Sequence, residues 1–115
     1  MQYACLVYQE EETTGTMGAC HRAGEALEYR EELRQYGYLL ASTALQPVQS
    51  AVTVRVRHSE VSIAGGPFAV TKEHLTGVCL IKARDLNEAI RVAARMPEAR
   101  TGSIEVRPLA EECER

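Results

Sequence analysis

The sequence predicts an α+β fold in which two strand–helix–strand halves are joined through an inserted β-hairpin. Three observations carry that reading. Gln2–Tyr8 and Val52–Arg57 follow a period of two, and Tyr38–Leu45 and Leu75–Ala83 are apolar runs of strand length. Two other stretches, from Met17 to Tyr36 and from Leu86 to Ala93, carry apolar residues at helical spacing. Glycine, proline or a polar pair separates these stretches, with no linker, repeat or low-complexity block between them. At 115 residues the chain suffices for one domain with a sizeable core but not for two.

The elements follow in order. Tyr3, Cys5 and Val7 share one face of the first strand, and Ala4, Leu6 and Tyr8 share the other. Gln9–Thr16 is a polar loop. In the first helix Ala19, Ala23, Ala26, Tyr29, Leu33 and Tyr36 form one stripe, and Gly37 stands where a C-cap is expected. The second strand, Tyr38–Leu45, closes at Pro47. Val52, Val54 and Val56 alternate with Thr53, Arg55 and Arg57, and His58-Ser59 turns this strand back into Val61–Ala64. After "GGPFAVTKEH" comes the apolar strand "LTGVCLIKA". Asp85 with Glu88 three residues on is a capping-box pattern, and Leu86, Ala89, Ile90 and Ala93 form the core stripe of a second helix that Pro97 ends. "GSIEVRPL" is the last strand. Residues 1–109 make the domain, and 110–115 form a frayed tail.

Without the hairpin this order is βαββαβ, the ferredoxin-like arrangement. Its two helices cover one face of the sheet. The strands Gln2–Tyr8, Tyr38–Leu45 and Leu75–Ala83 are apolar on both faces, which calls for a second cover. Another copy of the same sheet supplies one, so a face-to-face homodimer is expected. The final strand differs. If Ile104 and Val106 face the helices, Glu105 and Arg107 turn toward the second face, either as a paired bridge or as the lining of a pocket.

Composition bounds function by exclusion. Hydrophobic residues make up 45% and charged residues 25%, as in ordinary soluble domains. A net charge of −3, one phenylalanine and no tryptophan argue against RNA binding across the sheet and against phosphate-backbone binding generally. "MQYACLVYQEEE" lacks the basic lead-in of a signal peptide, and no apolar run is long enough to cross a membrane, so a cytoplasmic location is expected. Cys5, Cys20, Cys79 and Cys113 include no Cys-x-x-Cys pair and read as free thiols. Cys20 and His21 are helical neighbours pointing about 100° apart, a poor pair of ligands. No metal site and no cofactor are expected.

Six segments carry a family resemblance: "YACLVY", "EELRQYGYLLASTALQP", "TVRVR", "GPFAVTKEHLTGVCLI", "ARDLNEAIRVAARMP" and "GSIEVRPL". In one register and over most of the chain, they resemble the YCII-related proteins, and within them the subgroup named for an Asp-Gly-Pro-Phe (DGPF) motif. The resemblance implies a dimeric α/β barrel of ferredoxin-like subunits with an interior or interfacial cleft. It also implies relatives suspected of enzymatic roles, some found alongside alternative sigma factors. The chain departs from the pattern at several places. Gly65 stands at the motif's aspartate, and Val70 at an acidic position before Thr-Lys-Glu. Ala26 and Met96 stand at the helix histidine and the aspartate before proline of the wider family. Neither alanine nor methionine exchanges a proton.

The candidate site gathers around "AGGPFAVTKEHLTG". Gly65 and Gly66 permit backbone angles closed to other residues, and Pro67 fixes the exit direction. Phe68 then offers an apolar plug or a flat wall. Lys72 and Glu73 at a cleft mouth can bind an anion and move a proton if burial shifts their pKa values, or they are a solvated lead-in to the next strand. His74 reads as a surface residue, His21 as part of the polar helix face with Glu25, Glu28 and Glu32, and His58 as a hairpin tip. Tyr3, Tyr38, Phe68, Lys72, Glu73, Glu105 and Arg107 are the candidate ligand-binding residues. Two functions remain open at this point. One is a small-molecule-binding homodimer with an inter-sheet cleft, a degenerate enzyme or an active one. The other is an accessory or regulatory module that meets a protein partner such as a sigma factor.

Overall fold

The computed structural model describes residues 1–10, 17–69 and 71–110, with side chains of the first helix described from residue 24. Expectations on Ala19, Cys20, His21, Ala23, Val70, Cys113 and the tail beyond residue 110 lie outside the described residues. The chain forms β1 (Gln2–Gln9), α1 (Met17–Gln35), β2 (Leu39–Ala44), β3 (Val52–Arg57), β4 (Glu60–Gly65), β5 (His74–Lys82), α2 (Leu86–Ala94), α3 (Glu98–Thr101) and β6 (Ser103–Pro108).

Four strands form one antiparallel sheet in the order β2-β5-β1-β6, while β3 and β4 pair only with each other. With the hairpin set aside, the strand order is the fourth, first, third and second of a βαββαβ chain. That is a ferredoxin-like sheet, and a mixed α+β domain as expected.

Register sorts the side chains onto two faces. Cys5 stands opposite both Cys79 and Val106, and Tyr3 opposite Ile81. These residues point to the helices, where Tyr3, Cys5, Cys79, Ile81, Tyr29, Leu33, Ala89, Val92 and Met96 form the core. Burying a side chain the size of Ile81 or Met96 stabilises by about 1.5–3 kcal/mol. Tyr29 contributes twice, because its hydroxyl also donates to the Val92 carbonyl at 2.8 Å and so ties α1 to α2.

The helix ends follow their local chemistry. Gly37 sits at φ +81°, with its N–H on the Arg34 carbonyl and the Tyr38 N–H on the Leu33 carbonyl. This is the Schellman pattern that glycine makes accessible. The helix itself ends at Gln35, and Tyr36 in the turn is 74% exposed and no part of the core stripe. At α2 the Asp85 carboxylate accepts the Glu88 N–H at 2.9 Å, as a cap should. The Glu88 side chain reaches one residue further out than a capping box requires, and accepts the Arg84 N–H.

Two expectations for α2 need correction. Leu86 and Ile90 are 46 and 48% exposed, whereas Ala89, Val92 and Ala93 are buried. The helix therefore rolls its small residues onto the sheet and leaves the larger pair over β6. Pro97 does not close α2, which ends at Ala94; it leads instead into the short α3. No helix among the described residues is long and apolar enough to cross a membrane.

Candidate functional site

Among the described residues no helix or ribbon packs on the sheet face turned away from the helices. Alternation places Ala4, Leu6 and Tyr8 there from β1, and register adds Val78 and Leu80 from β5. Ala41 and Thr43 join them from β2, beyond the irregularity that lets Leu40 slip out of pairing. Glu105 and Arg107 face the same way from β6, opposite Leu6 and Ala4. The result is an apolar floor with a polar margin along one edge.

That margin is organised by a residue the sequence did not single out. The Tyr8 hydroxyl donates to Glu105 Oε1 at 3.2 Å, across 97 positions of sequence. Burial pushes the Tyr8 phenol up, and the Glu105 carboxylate pushes it further as acceptor and as a negative charge, against the opposing pull of Arg107. Tyr8 therefore stays a protonated donor at neutral pH. Arg107 Nε stands 3.9 Å from Glu105 Oε2, and the Arg107 side chain is mostly exposed. A guanidinium this loosely engaged keeps most of its donors for another oxygen.

The other predicted residues are scattered. Tyr3 lies on the covered face, fully buried, with its hydroxyl on Met1 Sδ, and Tyr38 packs at the edge of the same core. Tyr3 misses the open face because odd positions of β1 point to the helices, and Tyr38 because it packs against the core just before β2. Phe68 stands just after the hairpin, 76% exposed, with the Arg55 guanidinium 5.0 Å from its ring centre. Thr53, Arg55, Ser62, Ala64 and Pro67 surround it in a shallow hollow. Lys72 reaches outward to Glu10 at 3.5 Å. Glu73 accepts from Ser103 Oγ at 2.8 Å, which fastens the start of β5 to the start of β6. Of the seven candidates, only Glu105 and Arg107 share the open face. Gly66 does need its freedom: it sits at φ +99°, and its N–H closes the ribbon base on the Ala51 carbonyl.

A second polar cluster lies beneath the sheet, and sequence reasoning missed it. Arg30 on α1, 12% exposed, donates through Nη2 to Glu98 Oε2 at 2.7 Å and through Nε to Ser42 Oγ at 3.0 Å and Cys79 Sγ at 3.3 Å. Its Nη1 reaches the Ala26 carbonyl at 3.3 Å. The cluster thus abuts Ala26 and lies two residues from Met96, the positions where the resemblance puts an acid and a base. Both are buried apolar residues here. Period-four spacing could not reveal this, since Arg30 reads from sequence as one more charge on a solvated helix.

Cys5 and Cys79 are free and face each other across β1 and β5. Burial, and then the neighbouring Cys79, push the Cys5 thiol up to about 11, with Arg30 opposing. A folded value above the unfolded one stabilises the fold fully below the ordinary thiol range, and that contribution is lost as pH rises through about 11. Cys5 is accordingly expected to resist iodoacetamide at pH 8 in the native protein and to react in urea. Mass mapping of the peptide carrying Cys5 checks this, and native labelling would show the burial to be wrong. Among the described residues no cluster of three or more metal-ligating side chains occurs.

Comparison with known proteins agrees with this architecture. The YCII-related domain family matches residues 1–112. An uncharacterized protein of Rhizobium meliloti (strain 1021) is 36% identical over 115 residues, spanning 96% of this chain and 93% of its own. Among solved structures, the 5-chloro-2-hydroxyhydroquinone dehydrochlorinase of Burkholderia phenoliruptrix AC1100, in complex with 2,5-dihydroxybenzoquinone, superposes with a TM-score of 0.60. It does so at 10% identity over 99% of this chain and 98% of its own, a likeness of fold. With the βαββαβ sheet, the two-faced strands and a family match over nearly its whole length, the chain belongs to the YCII-related domain family.

Proposed function

We propose that the protein is a homodimer in which two open sheet faces meet and enclose a cleft that binds a small, flat organic molecule with acidic oxygens. The observation that carries this reading is the open face itself: an apolar floor bordered by Tyr8, Glu105 and Arg107. A face of that kind is unstable in water as a monomer surface, and a second copy is the nearest complementary cover. Arg107 supplies a cation for an acidic oxygen and Tyr8 a neutral donor, while the floor accepts a ring. The dehydrochlorinase of the same fold was solved with a dihydroxybenzoquinone, a ligand of this general shape and polarity, which supports the class.

Within the family we place the chain in the DGPF subgroup, with Gly65 at the motif's aspartate, and in the cytoplasm. Any chemistry on the ligand would run through Tyr8 and Glu105, since Ala26 and Met96 cannot transfer protons.

Native mass spectrometry of freshly purified protein tests the reading. A species of twice the chain mass, with extra mass released on denaturation, is expected and identifies the ligand. A monomer overturns the proposal. A clean dimer moves weight to an accessory module acting with a protein partner, a reading that the absent acid and base support. With the ligand in hand, Arg107→Ala is expected to weaken binding roughly 10- to 100-fold without unfolding the dimer, the range for losing a hydrogen bond from a charged group. Unchanged affinity by calorimetry would move the site elsewhere.

A further inference from the structure

The polar margin of the open face joins groups of opposite hydrogen-bonding sense. A guanidinium only donates, a carboxylate only accepts, and a phenol has one proton and can take either part. Tyr8 turns its proton to Glu105 Oε1 at 3.2 Å. Glu105 Oε2 and Arg107 Nε stand 3.9 Å apart, a charge contact too long for a hydrogen bond. Both groups therefore retain capacity on the same face, Arg107 for an acceptor and Glu105 for a donor.

The floor beside them is uneven. Register sets Arg107, Ala4 and Leu80 in one row across the sheet, and Glu105, Leu6 and Val78 in the next. The methyl group of Ala4 leaves the ground beside Arg107 low, between the taller Leu80 and Leu6. A ring lying there meets Arg107 at its edge, and Glu105 stands two residues along the same strand, roughly 7 Å away at the main chain. A single anionic oxygen answers Arg107 but leaves the negative Glu105 facing a like charge. We infer that the ligand of this site carries an ionised oxygen with a hydroxyl on the adjacent ring carbon, the first accepting from Arg107 and the second donating to Glu105. The inference rests on the open face being the ligand site. Methylation of that hydroxyl would set an ether oxygen against the carboxylate, acceptor to acceptor.

The test uses three probes on the purified protein: 4-nitrocatechol, its matched ether 2-methoxy-4-nitrophenol, and 4-nitrophenol. At mildly alkaline pH each carries one ionised oxygen para to the nitro group, and its absorption band reports binding. 4-Nitrocatechol is expected to bind roughly 10- to 100-fold more tightly than either of the others, the range for one hydrogen bond to a charged group. In Glu105→Ala that preference is expected to vanish while 4-nitrophenol binds at least as well as before, a split that loss of folding would not produce. Arg107→Ala is expected to weaken all three alike. Equal binding of the three probes to the wild type, or a preference that survives Glu105→Ala, overturns the inference and leaves the open-face site standing. Binding that Arg107→Ala does not change, or no binding by any probe, overturns both.

Discussion

Arg30→Met is expected to cost roughly 3–5 kcal/mol of folding stability, because it strands the Glu98 carboxylate under the sheet. The geometry sets the size of the effect. Arg30 and Glu98 are 12 and 16% exposed, their bond is 2.7 Å, and Glu98 Oε1 is buried without a hydrogen-bond partner among the described residues. Removing the guanidinium leaves Glu98 to bear its desolvation alone and also frees Ser42 and Cys79. Against a total of about 5–15 kcal/mol for a domain, that loss is a large fraction. Replacing both members, Arg30→Met with Glu98→Leu, is expected to recover most of it, since an apolar pair of similar volume often matches or exceeds a buried ion pair. Urea midpoints of the wild type, the single and the double variant decide. A single variant that melts like wild type means the pair is solvated in solution, and a double variant no better than the single refutes the ion-pair account.

Gly102→Ala carries the second large effect. Gly102 turns the chain from α3 into β6, and a Cβ there would run into the Tyr8 carbonyl oxygen and crowd the Gln9 side chain. Its φ of −151° lies outside the left-handed region, and the close approach to β1 is a constraint of space. The obstacle is main chain of the central strand β1, so relief requires the start of β6 to move off β1. Overpacking of this kind costs roughly 1–3 kcal/mol. The displacement also draws Glu105 away from Tyr8. Thermal melts should show the loss, and ring resonances of Tyr8 should titrate at lower pH than in the wild type once Glu105 no longer favours the phenol. Wild-type stability and an unmoved Tyr8 titration would show that the close approach relaxes without consequence.

Both variants lie outside the segment the sequence singles out. "AGGPFAVTKEHLTG" drew attention because glycine, proline and ionisable residues are dense there, and the structure gives those residues mainly architectural work. Gly66 closes the ribbon, Phe68 lies under Arg55, Lys72 meets Glu10, and Glu73 ties β5 to β6. Local density of chemical groups is a poor guide to a site built from distant strands.

The sequence by itself determined what short-range periodicity and local backbone chemistry can specify. Alternation marked β1, the hairpin and β6, apolar runs marked β2 and β5, and the two-residue period assigned Glu105 and Arg107 to the face opposite Ile104 and Val106. Gly37 and Asp85 marked a helix end and a helix start, because those contacts span only a few residues. Tertiary structure alone decided the rest. Tyr8 joins Glu105 only because β1 and β6 are neighbours, and Arg30 becomes a core residue only because α3 delivers Glu98 against α1. Leu86 and Ile90 face outward because the roll of α2 is set by how its alanines fit the sheet. Each of these depends on contacts between residues far apart in sequence, which pattern along the chain does not encode.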